Sequence, residues 1–527
     1  MISTSCLVRI SEASDGMPAD TSNALFSIVY PSELSLSHSQ FIFGASTSGV
    51  TTDPQTFYIS GSGQGTLNWT VSDDADWLVC SPTSGTGPGT VAVSVTPSGL
   101  SGLSPGTYTG SITVSNLGAV NSPQTIDVTL NLYAAGWDSM PFGSFDTPLD
   151  GSTVRSSIPV TGWALDDIGV EGVKIYRAPL SGEGKGMIYI GDAVLVTGAR
   201  TDIEQAYPGY PMADTAGWGY MMLTNFLPNS GNGTFMLYAI ARDGAGNETT
   251  LGIKTITCDN AHAVKPFGAI DTPTQGGTAS GDDFINWGWV LTPQPNSIPT
   301  NGSTLNVYVD GAYLGHPIYN IYRPDIASFF PGFANSSGAA GYFYLDTTAY
   351  ENGVHTIQWT ATDNAGNTDG IGSRYFTISN SGSGQALQRP KECRDPDRLF
   401  PGVQHGIPIH SSPAVEITRG YQRNSPSQVF YPGEDGMINI EINQIERVEI
   451  NLGHPGWRGF HIIGDQSRSI PVGSSLDREK GIFYWQPGAG FTGLYRLLFM
   501  DTTKKRRVKI NIKITPWHGG PIGPAGH

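Results

Sequence analysis

The stretch LYAIARDGAGNE at residues 237–248 returns as IQWTATDNAGNT at 357–368, and the reading of this pair decides the fold. Before the turn, Leu237, Ala239 and Ala241 in one copy match Ile357, Trp359 and Ala361 in the other, each set at alternate positions. A period of two marks a β-strand with one face on a core, because successive side chains point to opposite sides of the sheet. In the turn itself, Asp243 and Asp363 are placed to accept backbone N–H bonds. Gly246 and Gly366 supply positive φ, and Asn247 and Asn367 tolerate the left-handed region. Both segments read as hairpins. Calcium at Asp243 or Asp363 is disfavoured, since one carboxylate and an amide fall short of the roughly six to eight oxygens calcium takes.

The duplication extends well beyond the hairpin. PFGSFDTP (141–148) returns as PFGAIDTP (266–273), Gly162-Trp163 as Gly288-Trp289, and RTDIEQAYPGY (200–210) as RPDIASFFPGF (323–333). Order is kept and the offset stays between 120 and 126 residues, so a whole domain is repeated; solenoid units run only about 20–50 residues. Tandem domains joined end to end make a stalk or a binding array. One departure matters: GWALDD (162–167) becomes GWVLTP (288–293), which argues against any function needing Asp166 and Asp167 in both copies.

Composition agrees with strands. Among 527 residues, 68 Gly and 36 Pro with only 14% charged residues suit many short strands joined by tight turns. No sustained helical period appears, and no run of 18 apolar residues, so no membrane span is expected. Net charge is −16; up to Ser383 there are 11 basic against 32 acidic residues, and beyond it 18 against 13. An acidic surface of that kind repels nucleic acid, so no nucleic-acid partner is expected. Lys504-Lys505-Arg506-Arg507, between LYRLLFM and VKINIKI, reads as a solvated hairpin tip. Cys6, Cys80, Cys258 and Cys393 match neither a disulfide framework nor a metal site. Cys80, inside an alternating strand, reads as a small buried hydrophobe. No cofactor is expected.

Residues 1–30 read as strand, acidic turn, strand. Two strands cannot bury a core alone, so they are expected to be the last strands of a truncated immunoglobulin-like domain. The start has neither the basic region nor the apolar run of a secretory signal; a fragment of a larger exported protein is the expectation. Residues 31–135 carry QTFYISGSG, TVAVSVTP, YTGSITVSN and QTIDVTLNLY, alternating segments that predict a sandwich. Within them, LNWTVSDDADWLVCSPTSGTGPGTVAVSV followed by LSPGTYTGSITV resembles the BACON domain, in its Trp-containing strand, DxxWL, SGxGxG and GxYxGxIxV. That resemblance implies an all-β module of exported bacterial proteins and a carbohydrate-binding role.

Residues 136–260 and 261–383 are the two repeats, and GWALDDIGVEGVKIY (162–176) resembles bacterial immunoglobulin-like domains. Residues 384–410 read as a linker. In 411–516, IPVGSSLDREKGIFYWQPGAGFTGLYRLLF resembles the cadherin-like or immunoglobulin-like modules of bacterial surface proteins, without the D-x-N-D-N calcium signature. Residues 517–527 are expected to be a disordered tail.

Chemical motifs are few. Gly102-Leu103-Ser104-Pro105-Gly106 has the letters of a nucleophile elbow, but that motif needs a following helix, and here a strand follows. No H-E-x-x-H, P-loop or dinucleotide motif is present, and the ten histidines give no metal spacing. His454 beside Trp457 reads as a packing residue, Trp69 and Trp77 as core. No Asp or Glu stands in a context that predicts a raised pKa. No enzyme and no metal site are expected.

The best binding candidate is the duplicated aromatic segment: Tyr207, Tyr210 and Trp218 in one copy, Phe329, Phe330 and Phe333 in the other, around Pro208-Gly209 and Pro331-Gly332. Such rings can stack on sugars or anchor an interface. They can equally fold over the sandwich end and close its core, the reading that the change from Tyr to Phe favours. The expected fold is all-β, serial immunoglobulin-like β-sandwiches on a string. The expected function is non-catalytic: an extracellular or cell-surface stalk or adhesion protein contacting polysaccharide or another surface protein. The alternative is a carbohydrate-binding accessory region of a secreted polysaccharide-active enzyme or protease whose catalytic domain lies upstream.

Overall fold

A computed structural model describes residues 32–380 except 64 and 65, and 413–517 except 422–425, 465 and 502–505. Of residues 1–31 it describes the backbone of four short strands. There Ser3–Cys6 pairs antiparallel with Phe26–Ile28, and Arg9–Ser11 with Ala19–Thr21. The expected linker at 384–410, the tail beyond Trp517, and Lys504 and Lys505 of the basic tip lie outside the described residues.

The chain is all-β: immunoglobulin-like sandwiches in series. It divides into a unit ending at Ala135 and a unit beginning at Gly136. In the first unit a five-stranded and a four-stranded sheet face each other. The alternation read in Gly89–Val95 and Gln124–Tyr133 is their core face: Val91, Val93, Ile126, Val128 and Leu130 are buried and their neighbours are not. Trp69 and Trp77 join this core. The glycines of the SGxGxG segment exist for Trp69, since a methyl on Gly85 or Gly89 would overlap the indole. Gly87 offers its carbonyl to Trp69 Nε1 at 2.8 Å.

The second unit holds three sandwiches. The two repeats share one strand order. In the first, Phe142–Thr147, Ser157–Leu165, Gly217–Leu223 and Ile188–Leu195 form one half, and Val170–Arg177, Asn232–Asp243, Glu248–Asp259 and Thr153–Val154 the other. Ile188–Leu195 pairs with both Val170–Arg177 and Gly217–Leu223, so the halves join into one continuous sheet. In the second repeat the same stretch is two shorter strands, Ala312–Gly315 and Ile318–Ile321, one in each sheet. The third sandwich pairs two five-stranded sheets around Trp457, Trp485, Phe483 and Tyr495.

One pairing recurs in all four sandwiches. An early strand runs parallel to the last one: Gln40–Ser46 with Gln124–Tyr133, Thr153–Val154 with Glu248–Asp259, Thr278–Ala279 with Thr368–Ile378, and Met437–Asn443 with Arg506–Thr515. The early strand is the second of its sandwich in the first three and the third in the last, so the parallel pair joins a strand near the start of each sandwich to the one at its end.

Within the second unit the serial sandwiches also pack side by side. The loop Gly488-Ala489-Gly490 of the third sandwich enters the corner between the repeats. Ala489 O accepts from Tyr375 Oη at 2.7 Å and lies so close to Gly219 that a methyl there would overlap it. Tyr495 Oη donates to Ala199 O (2.6 Å), Arg447 Nε to Gly311 O (2.7 Å) and Ser475 Oγ to Asp310 O (3.0 Å). Trp517, the first residue of the expected tail, is instead ordered. Its indole is 7% exposed and sits in the core cluster of the first repeat, where its large apolar surface leaves water.

Candidate binding surfaces

The aromatic segments form two matching clusters at the ends of the repeats. A short helix, Thr201–Ala206, delivers Tyr207 and Tyr210 onto Phe142 and Trp163, with ring centroids 5.2–5.6 Å apart. Its counterpart, Pro324–Phe329, delivers Phe330 and Phe333 onto Phe267 and Trp289 at 5.3–5.4 Å. Four of the six candidate rings are thus packed, edge-on or tilted, against sandwich residues. Trp218 is fully buried in the core of the first repeat. Phe329 alone points outward, 61% exposed, and meets the half-exposed Phe226 of the first repeat edge-on at 5.8 Å. Phe226 was not legible as a partner, since it has no aromatic counterpart in a repeated motif.

The hairpin turns are built as expected in part. Asp243 Oδ1 accepts from Asn247 N at 2.8 Å, and Asp363 Oδ1 from Ala365 N and Asn367 N at 2.9 Å, with Gly246 and Gly366 at positive φ. Asn247 and Asn367, however, do not take the left-handed region. Their amides bind the aspartates instead, and Asn247 Nδ2 bridges Asp243 Oδ2 (2.8 Å) and Asp138 Oδ2 (2.7 Å).

Around these turns the copies diverge. In the second, Thr292 Oγ1 and Asn296 Nδ2 each donate to Asp363 Oδ2 at 3.0 Å. Burial pushes Asp363 up, but the bonds from Asn367, Thr292 and Ala365 outweigh it and hold the carboxyl below its usual range. In the first, Asp166 stands where Thr292 does and Asp167 where Pro293 does, and both are buried. Asp166 Oδ1 accepts from Ile168 N (2.8 Å) and Gly169 N (2.9 Å), whereas Asp166 Oδ2 and Asp167 Oδ1 are buried without a partner. Burial, reinforced by the charges of Asp167 and Asp243, pushes Asp166 up to about 6. Burial also lifts Asp369 to about 6, against the pull of Lys265. The expectation that no carboxylate is so perturbed fails here, because the burial that raises both comes from tertiary packing, which no local pattern spells out. Among the described residues no three His, Cys, Asp or Glu side chains are grouped to hold a metal ion.

The remaining candidates settle into packing. Ser104 lies in a turn before the strand Gly106–Ser115, its carbonyl accepting from Tyr108 Oη at 2.7 Å. His454 stacks on Trp457 at 4.9 Å. Cys80 and Cys258 are buried, and burial pushes both thiols up to about 12. No helix among the described residues is long and apolar enough to cross a membrane.

Comparison with known proteins places the first unit. Residues 33–129 match the family model described as the viral BACON domain, as the Trp69 and glycine pattern implied. The viral description differs from the expected bacterial setting in host, not in fold. No curated protein sequence matches the chain. Among solved structures, a Bacteroides ovatus GH5 xyloglucanase is 23% identical over 23% of this chain and 21% of its own, with a TM-score of 0.16. The chain therefore spans about a fifth of that enzyme. The fibronectin(III)-like modules of Clostridium thermocellum CbhA are 14% identical over 47% of this chain and 100% of theirs (TM-score 0.15). The zebrafish RET cadherin-like domains 1 to 4 are 10% identical over 92% and 100% (TM-score 0.15).

Proposed function

We propose that this chain is a non-catalytic array of an extracellular surface, which spaces and presents a functional head and meets polysaccharide or another surface protein through its exposed loops. The observation that carries this reading is the parallel pairing of an early strand with the last one in each of the four sandwiches. A pull on the two ends of such a sandwich loads the hydrogen bonds of that pair together, in shear, instead of opening them one by one. The viral description of the matched family model makes the exterior of a virus particle one setting for such an array, beside a cell surface.

Single-molecule pulling on the full chain, tethered at its termini, tests the load-bearing role. The expected record is a series of separate force peaks, one for each sandwich or interlocked group. Smooth extension at low force would sink the proposal.

A further inference from the structure

Where the two repeats meet, the second unit forms a partly open cavity of about 400 Å3 that no motif in the sequence announced. Its volume falls within the about 300–1,000 Å3 of small-ligand sites. Its walls come from both repeats: Tyr189, Tyr220 and Phe226 from the first, Asp271, Asp325, Arg323 and Arg374 from the second.

The charged groups form a balanced set. Arg323 forks onto Asp325, with Nε–Oδ1 and Nη2–Oδ2 both 2.9 Å, and its Nη1 binds Asp271 Oδ2. Arg374 gives Nε and Nη2 to the Ile270 carbonyl at 3.1 and 2.6 Å, and no carboxylate among the described residues lies within ion-pair distance of it. Two guanidiniums thus stand beside two carboxylates. Arg177, also in the wall, is neutralised by Glu183 through two bonds of 2.5 and 2.6 Å. The lining has no net charge to hold an ion, yet donors and acceptors stand side by side. A hydroxyl, which donates and accepts at once, suits such a wall.

The rim supplies the other half of the chemistry. Tyr189 and Phe226 are each 51% exposed, and Phe329 extends the ring of Phe226 outward. Large rings left half in water at the mouth of a polar cavity offer apolar faces to a ligand's C–H groups.

We infer that this junction binds a sugar residue of a neutral polysaccharide, its hydroxyls on Arg374, Asp271 and Asp325 and one ring face on Tyr189 or Phe226. The inference rests on the polysaccharide-contacting part of the proposed function; it is separate from the load-bearing role, which its test leaves untouched.

Affinity electrophoresis of the full chain through native gels containing galactomannan, mixed-linkage β-glucan, xylan or polygalacturonate reads the binding. Retardation by at least one neutral polymer is expected. A Tyr189→Ala variant, altered only at a half-exposed ring, should lose at least about tenfold in affinity at unchanged melting temperature, by loss of ring contact. Asp325→Asn should weaken retardation while sparing the fold. No retardation by any neutral polymer overturns the inference. So does retardation by polygalacturonate alone, which would mark simple ion exchange, and so does retardation that both variants retain, which would place binding on another surface.

Discussion

The hydroxyl of Tyr375, on the last strand of the second repeat, donates to the carbonyl of Ala489 in the third sandwich at 2.7 Å, and both groups are buried. Gly219 of the first repeat closes on the same residue. One small residue therefore touches both repeats, and only a loop reading Gly-Ala-Gly is slim enough to enter that corner. Tyr375→Phe removes a single buried bond and leaves a carbonyl unpaired, a loss of about 1–3 kcal/mol. Gly219→Val forces the corner apart. In scanning calorimetry of the full chain, Tyr375→Phe should lower the melting of the second unit, and Gly219→Val should split it into separate transitions. A wild-type-like trace from Gly219→Val would show that the corner holds nothing together.

In the first unit, Gly85 and Gly89 flank an indole that is 3% exposed. Adding a methyl at Gly85 must move either the strand or Trp69, at a cost of roughly 1–3 kcal/mol for overpacking. Gly85→Ala should lower the melting of the BACON-like unit and redden the Trp69 emission, while Thr86→Ala, one residue on and exposed, should leave both unchanged. Equal effects from the two variants would refute this account of the glycine motif.

How legible all this was depends on how far apart the partners stand. The period-two faces at Leu237, Ala239 and Ala241 and the packing of Trp69 are local patterns, and the sequence contains them directly. The Tyr207 and Phe330 clusters were readable as pairs because duplication put the same ring types at the same offset. The Ala489 corner, the cavity at Arg374 and the seat of Trp517 arise between sandwiches. Their partners stand about 50 to 370 residues away, and no spacing rule joins Gly219 to Ala489. Asp166 is the intermediate case: its replacement by Thr292 was visible, but its distance from Asp243 was not.

Cys80 and Cys258 carry a chemical consequence of burial. Thiols pushed up to about 12 are protonated at neutral pH, and the thiolate is the reactive form. In a Cys6→Ser/Cys393→Ser background, the folded chain should give no prompt reaction with a disulfide reagent at pH 8, and both thiols should react once it is denatured. Prompt reaction of the native chain would contradict their place in the two cores.

Asp166 gives the pH response its sign. Its folded pKa of about 6 lies above the ordinary 3.8, so the folded state binds the proton more tightly than the unfolded one. The penalty is fully present above pH 6 and is relieved as pH falls toward 4. Its ceiling is on the order of 3 kcal/mol, at about 1.4 kcal/mol for each pKa unit. His461 acts the other way: burial, with the charge of Arg468, pushes it down to about 3, so acid favours its unfolded form. The difference between wild type and Asp166→Asn cancels that second effect. Asp166→Asn keeps the side-chain shape and drops the charge, so it should be the more stable form at pH 7.5 by about 1–3 kcal/mol. The gap should close as pH approaches 4. Urea unfolding at pH 7.5, 6, 5 and 4 measures it. A gap that stays constant across that range would mean Asp166 is not the charged, unpaired group the first repeat buries.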